Sequence, residues 1–268
     1  MLDLCFYKDI EDVLNLIPKK HQTLFFSATI NTKIKRLAYS LVKNPIHIQI
    51  APKDIVSKNI THSVLQVGMD DKRFFLERLI KENPESKILI FVRTKVRAER
   101  VQKAMNRVNL ESSILHGTIE QKEREITLAG FKNDKFKILI ATDVAARGVD
   151  IPSVDYVVNY DMPEISENYV HRIGRTGRGK NKGVAISFCS EAEKEHLTNI
   201  ENFIGYELPY EIMGKHEYLD TIDFSDQSEA DWKTLLKSDD KISSKMAIHS
   251  WNVAREKRPL EWHGPNVW

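Results

Sequence analysis

The sequence predicts an α/β fold in which a parallel sheet is covered by helices on both faces. Three observations predict it. The short, unbroken apolar run "ILIFV" (88–92) and the largely apolar "FKILIA" (136–141) read as strands buried on both sides. The stretches between such runs carry apolar residues at helical spacing. The two kinds alternate, β-α-β-α, through the middle of the chain.

Taken in order, residues of about 5–17 read as a helix, "QTLFFSAT" (22–29) as a strand, "KIKRLAYSLVKN" (33–44) as a helix and "IHIQI" (46–50) as a short strand. Two β-α units are too few for a sheet of their own, so 1–50 reads as the tail end of an α/β domain. "APKDIVSKN" (51–59) reads as a linker, and 60–210 as a second α/β domain. Within it, 95–108 places Val96, Val101, Met105 and Val108 on one helical face. "SSILHG" (112–117) is a strand, and "QKEREITLAGFKND" (121–134) a helix with Ile126, Leu128 and Phe131 inward. After the strand at 136–141 come strand "VDYVVNY" (154–160), helix "ENYVHRI" (167–173), strand "GVAISF" (183–188) and helix 191–205, stopped by Gly205. Residues 211–268 lose the alternation. They are acidic at first, carry all four tryptophans, and read as an extension folding back through its aromatics.

Composition narrows the classes. The 268 residues are 41% hydrophobic, enough for a packed core, and the net charge is only +2. The charge is distributed unevenly: His171 to Lys182 holds five Lys or Arg and no acid, while His216 to Asp240 holds eight acids and two lysines. Cys5 and Cys189 stand far apart and outside any metal-ligand spacing, which argues against disulfides and structural zinc and for reduced thiols in the cytoplasm. No apolar run is long enough to span a membrane, and the N-terminus lacks the marks of a signal peptide.

"HRIGRTGRGKN" (171–181) nearly matches the phosphate-loop pattern through Gly174, Gly179 and Lys180. Such a loop needs a strand before it and a helix after it, so that the helix N-terminus meets the phosphates. Here a helix enters and a strand leaves, and Asn181 lacks the metal-binding hydroxyl. A self-sufficient phosphate-loop NTPase is therefore excluded. Arg172, Arg175 and Arg178 recur at spacing three, which points side chains the same way at a helix end. Gly174 and Gly177 would allow close approach to a partner, and guanidiniums bind polyanions in a bidentate manner.

"HRIGRTGR" resembles motif VI of the DEAD-box RNA helicases. "SAT" (27–29) resembles motif III, "LIFVRTK" (89–95) motif IV, "HG" with the following "QKER" (116–124) the family's Q-x-x-R segment, and "ATDVAARGVD" (141–150) motif V. The flavour is that of the bacterial RhlE type, and the resemblance covers roughly 1–205. It implies a RecA-like second domain preceded by a remnant of a first. The phosphate loop and D-E-A-D box that the family carries ahead of "SAT" are not in this sequence.

The resemblance implies ATP with Mg²⁺ between two such domains, the metal ligands belonging to the first. It makes Arg175 and Arg178 arginine fingers and Arg172 structural. Asp150 would accept from the ribose, Arg147 would brace the nucleotide site, and Gly148 would serve that loop. RNA would be held through its backbone by Thr94, Arg124, Thr142 and Gly117. Ser27, Thr29 and His171 would couple the nucleotide state to strand separation. Two functions stay open: an ATP-dependent RNA helicase whose present chain is inactive without its first domain, and a non-enzymatic RNA-binding or regulatory module made of the second domain.

Overall fold

The computed structural model describes residues 7–18, 21–26, 36, 39, 42, 46–48, 55–146, 151, 154–179, 181–211, 213–223 and 225. The chain divides into two units, Met1–Asp54 and Ile55–Trp268. In the first, helix α1 spans Tyr7–Leu16. Residues 22–26 and 46–48, expected as parts of strands, have no regular structure. A strand exists only by bonding a neighbour, and none lies among the described residues of this unit. Leu24, Phe26, Ile46 and Ile48 are exposed accordingly.

The second unit is one sheet between two helical layers. Its strands are β1 (Ile60–Gln66), β2 (Ile88–Val92), β3 (Ser113–Leu115), β4 (Ile138–Thr142), β5 (Tyr156–Asn159), β6 (Gly183–Cys189) and β7 (Tyr210–Glu211). They run β3-β4-β2-β5-β6-β1-β7 across the sheet, and every pair is parallel. The helices are α2 (Lys72–Glu82), α3 (Lys95–Arg107), α4 (Gln121–Lys132), α5 (Asp143–Ala146), α6 (Ser166–Ile173), α7 (Lys194–Ile204) and α8 (Lys215–Asp223).

The period of two along the strands splits the core. Leu89, Phe91, Leu139, Ala141, Val157 and Ala185 pack with Phe131 of α4, Tyr169 and Ile173 of α6, and Leu197 and Ile200 of α7. Ile88, Ile90, Val92, Ile140, Val158 and Phe188 pack on the other face with Phe74 and Phe75 of α2, Val101 and Met105 of α3, and Ile222 of α8. β2 and β4 are buried throughout because both layers cover them.

Two inward assignments fail at helix ends and sheet edges. Val96 is exposed because it sits in the first turn of α3, past the last paired residue of β2. Ile126 is exposed while Phe131 is buried, since α4 lies over the edge strand β3, three residues long. Gly205 ends α7 in the left-handed region at φ 87°. Cys189 is a free, buried thiol, pushed up to about 12 by its burial. Packing continues past residue 211, because the ring of Tyr218 on α8 lies 4.8 Å from that of Phe75.

Candidate nucleotide and RNA interface

In a parallel sheet the loops leaving the strands gather along one edge. Three expected RNA residues lie on that carboxyl edge of neighbouring strands. Thr142 ends β4 and pairs in register with Val92, and Thr94 lies two residues past Val92. Gly117 lies two residues past Leu115, the last paired residue of β3. Thr94 caps α3: its Oγ1 accepts from the Arg97 amide at 3.2 Å. Gly117 has no positive φ, and a Cβ there would meet nothing within 4 Å. Its backbone does not require glycine.

Arg124 on α4 turns toward the same edge. Its Nη2 donates to the Ala145 carbonyl at 2.6 Å, bracing α5 directly behind Thr142. Arg172 holds the other end of α5. It is 2% exposed. Its Nε and Nη2 donate to Oδ1 and Oδ2 of Asp143 at 2.6 and 2.7 Å. Its Nη1 reaches Asn159 Oδ1 at 3.2 Å and the Asp161 carbonyl at 2.8 Å, and the guanidinium lies 5.2 Å from the Phe91 ring centre. The structural reading of Arg172 thus has its cause: a buried guanidinium needs a fork of acceptors.

The other two arginines leave this edge. Beyond α6 the chain turns at Gly174 toward the amino ends of β5, β6 and β1. The Val154 amide donates to the Arg175 carbonyl at 3.2 Å, and Val154 and Thr176 form an isolated parallel bridge. Gly177 has φ 62°, and a Cβ there would stand 2.6 Å from Ile60 Cγ1. Its close approach is to the start of β1.

Arg178 is half-buried. Its Nε donates to the Gly174 carbonyl at 3.0 Å and its Nη1 to the Ile151 carbonyl at 3.1 Å. Among the described residues no carboxylate pairs with it, so two carbonyls aim a charge that can still receive an anion. Arg175 is half-buried on the same turn, and His171 is exposed on α6. Ser27, Thr29, Arg147, Gly148 and Asp150 lie outside the described residues.

The sequence reading missed a buried ionic cluster behind Thr94. Lys72, wholly buried, donates to Glu193 Oε2 at 2.6 Å and to the Tyr160 carbonyl at 2.7 Å. Lone charged residues in separate elements give no spacing signal, so only the fold brings these together.

The parallel sheet thus carries Thr94 and Thr142 toward its carboxyl edge, and the turn holding Arg175 and Arg178 lies at its amino edge. A family model described as the helicase conserved C-terminal domain matches residues 71–180. The ATP-dependent RNA helicase DbpA of Bacillus subtilis is 39% identical over 209 residues, 78% of this chain and 43% of the relative. The chain spans about half the length of the curated relatives it matches. Escherichia coli DEAD-box protein SrmB, in its structure bound to regulator of ribonuclease activity A, is 30% identical with a TM-score of 0.56, over 59% of this chain and 93% of that one. Saccharomyces cerevisiae Dbp5 bound to RNA and ADP BeF3 is 32% identical with a TM-score of 0.72, over 79% of this chain and 56% of that one. The fold is that of the RecA-like helicase C-terminal domain. The chain belongs to the DEAD-box ATP-dependent RNA helicases.

Proposed function

We infer that this chain supplies the second, closing domain of an ATP-dependent RNA helicase. The observation that carries the reading is the contrast among three equally spaced arginines. Arg172 is consumed by Asp143, whereas Arg178 is braced by two carbonyls with no described acid against it. In this reading Arg178 and Arg175 meet the phosphates of ATP from the amino edge. Asp150, Arg147 and Gly148 attend the ribose side, and His171, Ser27 and Thr29 couple that site to the RNA. ATP supplies the phosphoanhydride whose cleavage drives the cycle, with Mg²⁺ held on carboxylates of a first domain. Among the described residues no group of three or more metal-binding side chains occurs.

The RNA lies along Thr94, Thr142 and Gly117, with Arg124 adding charge from α4. Hydroxyls, a backbone amide and a guanidinium aimed at phosphates bind without reading bases. The structure of Dbp5, which is similar to this chain, holds both RNA and a nucleotide. The 268 residues contain neither a phosphate loop nor a D-E-A-D sequence, so we assign no ATP hydrolysis to the chain alone. The subgroup reading remains the RhlE type, and the compartment the cytoplasm. Among the described residues no helix is long and apolar enough to cross a membrane.

The test is fluorescence anisotropy of labelled single-stranded RNAs across a salt series. Binding should be indifferent to sequence and weaken steeply with salt, and Thr142→Val should weaken every RNA alike. A tight, salt-insensitive preference for one short sequence would overturn the reading.

A further inference from the structure

Glu193 is 1% exposed, yet both of its carboxylate oxygens are in use. Oε2 accepts from the Ser190 amide at 3.1 Å, the Ser190 hydroxyl at 2.7 Å and the Lys72 ammonium at 2.6 Å. Oε1 accepts from the Met162 amide at 3.1 Å and from Arg93 Nη2 at 3.3 Å. The Ser190 contacts form a capping box on the short 3₁₀ turn Glu191–Glu193 that leads into α7. A capping box occupies one oxygen and works equally well in water, so it accounts for neither the burial nor the second oxygen. Burial pushes the Glu193 carboxyl up. Lys72 and the Ser190 donors outweigh that and hold it below its ordinary value.

Asp161 repeats the pattern just past β5. Its Oδ2 accepts from the Arg93 amide at 3.0 Å. Its Oδ1 stands 3.3 Å from Arg97 Nη2 and 3.9 Å from Lys72 Nζ. One buried ammonium therefore sits between two carboxylates, and each of these grips an arginine. Those arginines bracket Thr94, three residues before Arg97 and one after Arg93. Arg97 also lies over the Tyr160 ring at 5.2 Å. Buried ion pairs contribute little net stability against apolar replacements. Their best-attested use is to fix one arrangement among several, and here what they fix is a turn.

We propose that Glu193, with Lys72 and Asp161, is a positioning residue for RNA binding: it acts through Arg93 to hold Thr94 and the first turn of α3 at the carboxyl edge. This rests on the reading of that edge as the RNA site. Glu193 itself touches no RNA. Its effect is to keep the Arg97 amide on Thr94 Oγ1 and the Ala98 amide on the Thr94 carbonyl, so that the hydroxyl of Thr94 keeps one orientation.

Two measurements on the full chain test this. In Glu193→Gln one oxygen becomes an NH₂ that cannot accept from the donors around it. Amide hydrogen exchange should quicken about tenfold for residues 93–98, against unchanged exchange in β4. RNA affinity should fall about tenfold, and Thr94→Val should add nothing further in that background, as for residues acting through one unit. Unchanged exchange at 93–98 overturns the proposal, even where the melting temperature falls. Should Glu193→Gln not fold, Arg93→Met leaves the Lys72, Ser190 and Glu193 contacts in place and should give the same local quickening. An Arg93 that merely touches RNA would lower affinity without altering exchange, which also overturns it. A wild-type chain that binds no RNA removes the reading of the edge, whereas exchange reads the positioning role independently.

Discussion

At the scale of residues, the arginine triplet divides by burial: Arg172 is buried, whereas Arg175 and Arg178 are half-buried. Arg172 is a buried partner of Asp143, whose side chain keeps about a quarter of its surface in water at 25%. Arg172→Met removes the fork and leaves that carboxylate without its counter-ion. We expect a loss of about 3 kcal/mol, the lower end for breaking a buried pair because Asp143 is partly hydrated. Urea denaturation of the purified variant measures it, and an unchanged midpoint contradicts it. Arg175 and Arg178 should behave oppositely. With a first helicase domain supplied by fusion, Arg175→Lys or Arg178→Lys keeps the charge but loses the planar fork. Turnover should drop about a hundredfold, or about 2.7 kcal/mol of barrier, with RNA affinity near wild type. Full turnover in both variants would remove the arginine-finger assignment.

At the scale of elements, α8 is part of the packed unit although its sequence gives no periodic hint of it. Ile222 is buried against the α2 face. The Tyr218 hydroxyl donates to Asp71 Oδ2 at 2.8 Å and accepts from the Gly68 amide at 3.0 Å. Arg78 Nη1 donates to Thr221 Oγ1 at 2.8 Å. Ending the chain after Glu211 strips an isoleucine and a tyrosine from that face. The expected cost is about 3–5 kcal/mol, from the burial of two large side chains. Thermal melting followed by circular dichroism should show the midpoint moving down. An unmoved midpoint would mean α8 merely rests on α2.

At the scale of the whole molecule, His62 ties three distant parts of the chain together. Its Nδ1 meets the Tyr169 hydroxyl at 2.8 Å and its Nε2 the Tyr206 hydroxyl at 3.0 Å, linking β1 to α6 and to the turn after α7. Burial holds its pKa below the ordinary 6.5. As pH falls through 6.5 the unfolded chain therefore takes up the proton first. Stability is intact above that pH and declines below it, until the folded histidine also titrates. Melting temperatures measured from pH 7.5 to 5 should fall, and His62→Gln should flatten the slope. A variant that keeps the full slope would assign the acid sensitivity elsewhere.

Much of this protein was written in its sequence. The runs at 88–92 and 136–141 read as strands covered on both faces, because each holds at least four consecutive apolar residues between helical stretches. The helix-to-strand order around "HRIGRTGRGKN" by itself rules out a phosphate loop, since phosphate binding there needs a helix N-terminus facing the ligand. Period and order are local, and local signals survive in one dimension. Other features needed the fold. Strand β1 and helix α2 become core only when β6 pairs with one and the sheet covers the other. Residues 22–29 read as a strand, yet 22–26, the part described, form none, because a ladder needs a second backbone. Whether Arg172 is a ligand or a brace depends on Asp143, 29 residues away. The Lys72–Glu193 pair closes over a separation of 121 residues. Charge pairing depends on distance in space, and only the tertiary structure sets that distance.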